Sequence, residues 1–417
     1  MKGNFPPQIK AYSKTTIIHM TKRLILNVLL FATVLIPVAA QETKSESNQF
    51  TTVKELPITG IRDQANSGTC WSYSAIGFIE AEMLRVGKPE TDLSDMFPVN
   101  MSYRDKADKY IRMHGLLNFA QGGSFYDVLY VLKHYGIVPE EVMTGLNYGT
   151  KKNAHNEMEA VSKAFLEQVV KNKNGKLSTA WRKAYSGIID AYLGAIPTQF
   201  TYQGKTYTPK SYAATLGLNF DDYVSLTSYT HHPFYQPFAL EIEDNWRWST
   251  SYNIPIDELM QVMNYAIDNG YTIAWGADVS EAGFNRDGIG VLADVEAIQS
   301  AGSDQARWIG LSYSDRQNEI KRIINTPDCP EINPTQEYRQ ECFDNFTLTD
   351  DHGMLIFGKA KNQIGRPFFM VKNSWGEAGA YKGIWYVSEN YVAGRTMNIV
   401  VHKNAIPAAI KAKLGIR

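Results

Sequence analysis

The chain has 417 residues and a formal net charge of −1, and 44% of its residues are hydrophobic. That is enough apolar material for a sizeable core, with no basic excess to attract nucleic acid and no acidic tail. Three cysteines are too few for a disulfide scaffold.

The N-terminal stretch "MTKRLILNVLLFATVLIPVAAQ" begins at Met20. Lys22 and Arg23 precede an apolar run from Leu24 to Ile36, and small residues stand at Val38 and Ala40. This order predicts a secretory signal peptide cut after Ala40. The run is short for a membrane span of ~20 residues, so a periplasmic or secreted protein without a stable membrane anchor is expected. Residues 1–40 thus form an N-terminal extension and signal peptide, and 41–57 a polar leader, extended or disordered.

A helix is expected from about Thr69 to Val86, where Ile76, Ile79, Met83 and Val86 fall at helical spacing and Gly87 stops it. A second covers Ser124 to Tyr135, closed by Gly136, and the pattern is helical again from Asn156 to Leu193. "IDELMQVMNYAIDNG" is one more, ending at Gly270. The texture then changes. "YTIAWGADV", "GMLIFGKAK", "PFFMVKNSW" and "GIWYVSENY" are β-branched or aromatic runs bounded by Gly, Asn and Pro, which read as strands. Helices first and strands later imply an α+β fold of two lobes, with a cleft between them as the natural place for a site.

Cys329 and Cys342 lie 13 residues apart in a Pro-rich loop and are candidates to pair, which leaves Cys70 alone. Cys70 follows Gly68 and Thr69 at the start of the first helix. There the helix dipole and unpaired N–H groups favour a thiolate. A thiolate nucleophile needs a base to hold and return a proton. His114, His134 and His155 fall in polar helical stretches and are expected to be solvated. His231-His232 precedes a proline in a loop and is on its own a weak signal for metal. His352 differs, standing in "TDDHGMLIFG" at the mouth of an apolar strand. Asn373, in "KNSWG", follows the next strand, so adjacent strands can bring the two together. Asn373 can then fix the imidazole tautomer, and Trp375 can shield that bond from water. Gln64, six residues before Cys70, can join the Cys70 N–H in an oxyanion hole.

The set "Q-x5-C-W-S", "D-H-G" and "N-S-W-G" resembles the papain superfamily of cysteine peptidases. The resemblance implies Cys70 as nucleophile, His352 as acid/base, Asn373 as the orienting residue and Gln64 as oxyanion donor. Trp71 and Trp375 support them. It also implies that the Gly122-Gly123 backbone in "QGGSFYDVLYVLKHYGIVP" pairs with an extended substrate; read alone, the two glycines equally fit a turn or a helix entry. The implied fold is papain-like, with a helical left lobe and an antiparallel β-barrel-like right lobe over 58–404, helical insertions at about 150–250 and 291–345, and a C-terminal tail at 405–417.

Departures from the simple enzymes point to one branch. Ser67 replaces the family's cysteine three residues before the nucleophile. His352 and Asn373 lie 282 and 303 residues after Cys70, against about 130–150 in the simple enzymes. These features, with "YVSLTSYTHHPFYQPFALEIEDNW", resemble the bleomycin hydrolase and aminopeptidase C branch. The resemblance implies hydrolysis of peptide substrates, with aminopeptidase action expected over endopeptidase action. It also implies a C-terminal arm in the cleft and a homo-oligomer, hexameric in that branch. The chemistry requires no metal and no organic cofactor. A cell-wall peptide amidase and an inactive peptide-binding relative are the other readings.

Overall fold

The computed structural model describes residues 47–300 and 311–417. The expected signal peptide, Met20–Ala40, and the leader as far as residue 46 lie outside the described residues.

Five helices build the first lobe: α1 (Cys70–Arg85), α2 (Met96–Arg112), α3 (Phe125–His134), α4 (Asn156–Val170) and α5 (Ala180–Leu193). The continuous helical pattern expected over 156–193 is broken at Lys171–Thr179, a polar stretch whose Gly175 takes φ +69°. α3 starts on a capping box: the Ser124 N–H donates to Asp127 Oδ2 at 2.8 Å. α1 is buried almost all round, from Trp71 to Met83, because it runs between the lobes. Its two carboxylates are therefore held by ion pairs. Arg62 reaches Glu80 at 2.5 Å and Asp95 at 2.7 Å, and Arg85 reaches Glu82 at 2.6 Å. Removing one partner of such a buried pair costs about 3–5 kcal/mol.

The second lobe is a ten-stranded sheet. Its strands are β1 (Phe50–Glu55), β4 (Tyr223–Thr227), β5 (Pro237–Ala239), β6 (Thr250–Asn253), β7 (Ile273–Ala277), β8 (Ile289–Gly290), β9 (His352–Asn362), β10 (Pro367–Lys372), β11 (Ile384–Ser388) and β12 (Thr396–His402). β2 (Phe200–Tyr202) and β3 (Lys205–Tyr207) form a separate hairpin. The order is β5-β6-β4-β12-β7-β9-β10-β11-β8, with β1 also on β9. The barrel-like antiparallel lobe is thus corrected in detail: the path is open, and β4 with β6 and β11 with β8 pair in parallel. β9 is long enough to take two partners along one edge. Its first half, His352–Ile356, pairs with β7, and its second half, Gly358–Asn362, with β1. Part of the polar leader is therefore a strand of the sheet.

The remaining helices are α6 (Pro209–Ala213), α7 (Ile256–Asp268), α8 (Val295–Ser300), α9 (Tyr313–Ile324), α10 (Gln336–Asp344), α11 (Glu389–Arg395) and α12 (Ala408–Leu414). α12 corrects the expected C-terminal arm. Ile410 and Leu414 pack into the same apolar cluster as Leu259 and Met263 of α7. Lys413 Nζ lies 2.5 Å from Glu258 Oε1 and 3.2 Å from Tyr235 Oη. An amphipathic tail with an apolar helix face to cover goes there rather than into a polar cleft. Cys329 and Cys342 do not pair either. Both are free thiols, buried in different clusters.

Candidate active site

α1 stands directly on β9, and a glycine makes the approach possible. A Cβ on Gly353 would lie 2.7 Å from Ser74 Oγ and 3.3 Å from the Trp71 Cα. Gly276 faces Gly353 across the β7–β9 pair, and the Phe125 ring lies against both positions. On this bare floor the first residue of α1, Cys70, and the first residue of β9, His352, come to one cavity. The cavity is narrow and partly open, and it is also lined by Trp71, Gly123, Asp244 and Asp350. Among the described residues no direct hydrogen bond joins the Cys70 sulfur to His352. Apo sites commonly show such loose pairs.

β10 pairs with β9, with Lys372 opposite Leu355, so Asn373 emerges beside His352. His352 Nε2 lies 2.7 Å from Asn373 Oδ1. The Ser374 N–H donates to that same atom at 2.7 Å, which identifies it as the carbonyl oxygen. Nε2 therefore carries the proton, and Nδ1 keeps a lone pair. Trp375 lies over the imidazole, centroids 4.8 Å apart and planes 26° apart.

Gln64 belongs to the same corner. Its N–H donates to the Ser374 carbonyl at 2.8 Å, and its Oε1 accepts from Ser374 Oγ at 2.6 Å. Nε2 gives one N–H to the Ser67 carbonyl at 2.7 Å, leaving the other to donate. Trp71 anchors the next loop, its indole N–H donating to the Gln121 carbonyl at 3.1 Å.

The cavity favours neutral side chains. Burial pushes the Cys70 thiol up to about 12, and Asp244 and Asp350 add to this, while the Gly353 and Trp71 N–H groups act the other way. Burial lowers His352 to about 4, and its bond to Asn373 only partly restores it. The place of Cys70 at the first turn of α1 works towards the thiolate. Both shifts favour a neutral thiol and a neutral imidazole.

Gly123 lines this cavity, and Gly122 lines a neighbouring one with Gly68 and Gln121. The Gly122 carbonyl accepts from Lys106 Nζ at 2.6 Å, and a Cβ there would lie 1.9 Å from Asp244 Oδ1. Asp244 therefore sits on Gly122 and faces the cavity of Cys70 and His352. Burial raises Asp244 to about 6 against the pull of Lys106, and burial holds Asp350 well above the usual carboxylate range. Sequence reading missed both acids. Asp350 had a local signal, the acidic doublet before His352; Asp244 had none. His155, expected in solvent, is fully buried.

The sequence matches the family described as Peptidase C1-like over residues 6–301 and 335–416. It is 21% identical to "Aminopeptidase G" of Lactobacillus delbrueckii subsp. lactis, covering 84% of this chain and 82% of that protein. With "Aminopeptidase C" of Lactobacillus helveticus it shares 22% identity over 89% of this chain and 88% of the relative. The fold resembles the crystal structure of PepW from Lactobacillus rhamnosis, with a TM-score of 0.66, 18% identity, and 97% and 95% of the two chains covered.

Proposed function

The chain belongs to the Peptidase C1-like family, in the bleomycin hydrolase and aminopeptidase C branch of the papain superfamily, and from that premise of a cysteine-type peptidase we propose an exported aminopeptidase. The observation that carries the reading is the shared cavity of Cys70 and His352, with His352 Nε2 on Asn373 Oδ1 at 2.7 Å. In this reading His352 Nδ1 takes the thiol proton as the Cys70 sulfur attacks the peptide carbonyl. The Cys70 N–H and the second N–H of Gln64 Nε2 hold the oxyanion. His352 then protonates the leaving amine, and water activated by His352 hydrolyses the thioester.

The aminopeptidase part rests on two supports. Relatives across most of the chain carry that name. The cavity also holds Asp244 and Asp350. A substrate ammonium bound there would offset the burial that raises both acids, in the role a C-terminal carboxylate plays in this branch. The pattern from Met20 to Ala40 supports export.

One observation favours a second reading. α12 packs on α7, and among the described residues none of 405–417 lines the cavity of Cys70, as suits an endopeptidase. Fluorogenic aminoacyl and peptidyl substrates, with free and blocked N-termini, separate the two readings under reducing conditions. Cleavage of free substrates only, abolished by Cys70→Ala, is expected. Equal cleavage of blocked substrates would replace the aminopeptidase by an endopeptidase, and turnover by Cys70→Ala would remove the mechanism.

A further inference from the structure

Away from the hydrolytic centre, the loop after β4 and the residue chain leaving β5 bring three donor groups to one point. His231 Nε2 lies 3.0 Å from Glu241 Oε2, and His232 Nε2 lies 2.7 Å from Glu241 Oε1. The three donor atoms all fall within 4.8 Å of one another. Zn²⁺ bonds of about 2.0–2.1 Å to nitrogen and oxygen put tetrahedral ligand atoms about 3.3 Å apart. Around an ion the imidazole–carboxylate distances would open by about 0.3–0.6 Å, and the two ring nitrogens, no more than 4.8 Å apart, would close towards about 3.3 Å.

Packing holds the rings in place. His231 stacks on Phe343, 5.5 Å apart with planes 10° apart, and His232 stacks on Phe238 at 4.2 Å. The Asn253 side chain fixes the loop backbone from beneath, donating to the carbonyls of Tyr229 at 2.7 Å and His232 at 2.8 Å. Gln340 lies against the other nitrogen of His231. Its Oε1 is 3.3 Å from Nδ1 and also accepts the Thr230 N–H at 2.6 Å. Gln340 Nε2 lies 3.1 Å from the same nitrogen, so either tautomer of His231 has a partner there, and the one protonated at Nδ1 presents the Nε2 lone pair to an incoming ion. Such outer support of a ligating imidazole is usual at metal centres. The side chains of His231 and His232 are 29% and 35% exposed and that of Glu241 56%, so an ion can enter and solvent can complete its shell.

We propose that His231, His232 and Glu241 form a three-ligand site for a divalent transition ion, best matched by Zn²⁺. Two imidazoles and one carboxylate suit that ion and not Ca²⁺ or Mg²⁺, which prefer all-oxygen shells. The ion clamps the β4–β5 loop to the segment that begins at Glu241. That segment continues through Ile242 to Asp244, both on the wall of the nucleophile's cavity. The site is independent of the hydrolytic reading and stands or falls without it.

The test is a calorimetric titration of Zn²⁺ into Cys70→Ala protein, in which the nucleophile's thiol cannot compete. One ion per chain is expected, with affinity reduced about tenfold or more in His232→Ala and in Glu241→Gln. Zn²⁺ is expected to raise the melting temperature of the parent and not of those two variants. All three ligands are partly exposed, so the variants should match the parent's melting temperature in metal-free buffer. Should that control fail, Co²⁺ absorption of the parent decides, since tetrahedral and hydrated Co²⁺ differ in spectrum. Absence of binding, affinity unchanged by both substitutions, or a hydrated Co²⁺ spectrum overturns the proposal.

Discussion

His352 and the pair His231-His232 are the same side chain in opposite surroundings. His352 is buried, roofed by Trp375, and its partner is the uncharged oxygen of Asn373. An amide offers direction without charge, so burial wins and the imidazole is lowered to about 4. His231 and His232 are partly exposed and face a carboxylate. Burial alone would raise Glu241, yet the two imidazoles hold it below its usual range. The partner decides what each histidine can do. The amide keeps a neutral base ready to take a proton, and the carboxylate makes a place for positive charge.

The largest break in that comparison comes from removing the buried base. His352→Ala should lower kcat by about 10²–10⁴-fold while circular dichroism shows a folded protein. Turnover within a few-fold of the parent would strip His352 of its role. A second test concerns the floor that brings His352 and Cys70 together. Gly353→Ala places a methyl 2.7 Å from Ser74 Oγ. Overpacking of this kind costs about 1–3 kcal/mol, read as a lower denaturant midpoint, with activity lost alongside. Adding Ser74→Ala should recover part of both, and a strictly additive double mutant would mean that the contact is not the cause.

The smallest effect is a shift in pH. His352 has a depressed folded value, so it stays neutral until pH falls towards about 4. The acid limb of kcat/KM should lie there and not near 6.5, the value of a free imidazole. An alkaline limb from Cys70, raised to about 12, falls beyond the usable range. The two limbs belong to the thiol–imidazole pair as a unit. An acid limb at 6 or above would mean that water reaches His352 despite Trp375.

What the sequence made legible was the placement of residues with a local signature. Cys70 after Gly-Thr at a helix start, His352 at a strand mouth and Asn373 after the next strand all stand at element ends, where neighbouring residues mark them. The two-lobe α+β fold followed from helices first and strands later. Features that depend on distant partners stayed hidden. Asp244 reaches the cavity only because Gly122 leaves room for it, 122 residues away in the chain. Glu241 joins His231 and His232 only because β5 returns the chain to its own loop. The docking of α12 depends on an apolar face of α7. His155 looked polar by its neighbours and is buried by the fold. The break between α4 and α5 was visible in principle, since Lys171–Thr179 is polar and holds a glycine.

The pairing of β1 with β9 also sets an order in time. Phe50 stacks on Tyr386 at 3.9 Å, and Asn48 is bonded to Asn362, 314 residues later. Closing so long a loop is slow, and a ribosome makes the first strand long before its partner. Cys70 likewise emerges 282 residues before His352 and 303 before Asn373. Over that interval the chain carries the Cys70 thiol without the imidazole of His352. In the proposed reading, peptide cleavage therefore waits on the synthesis of β9 and the turn after β10.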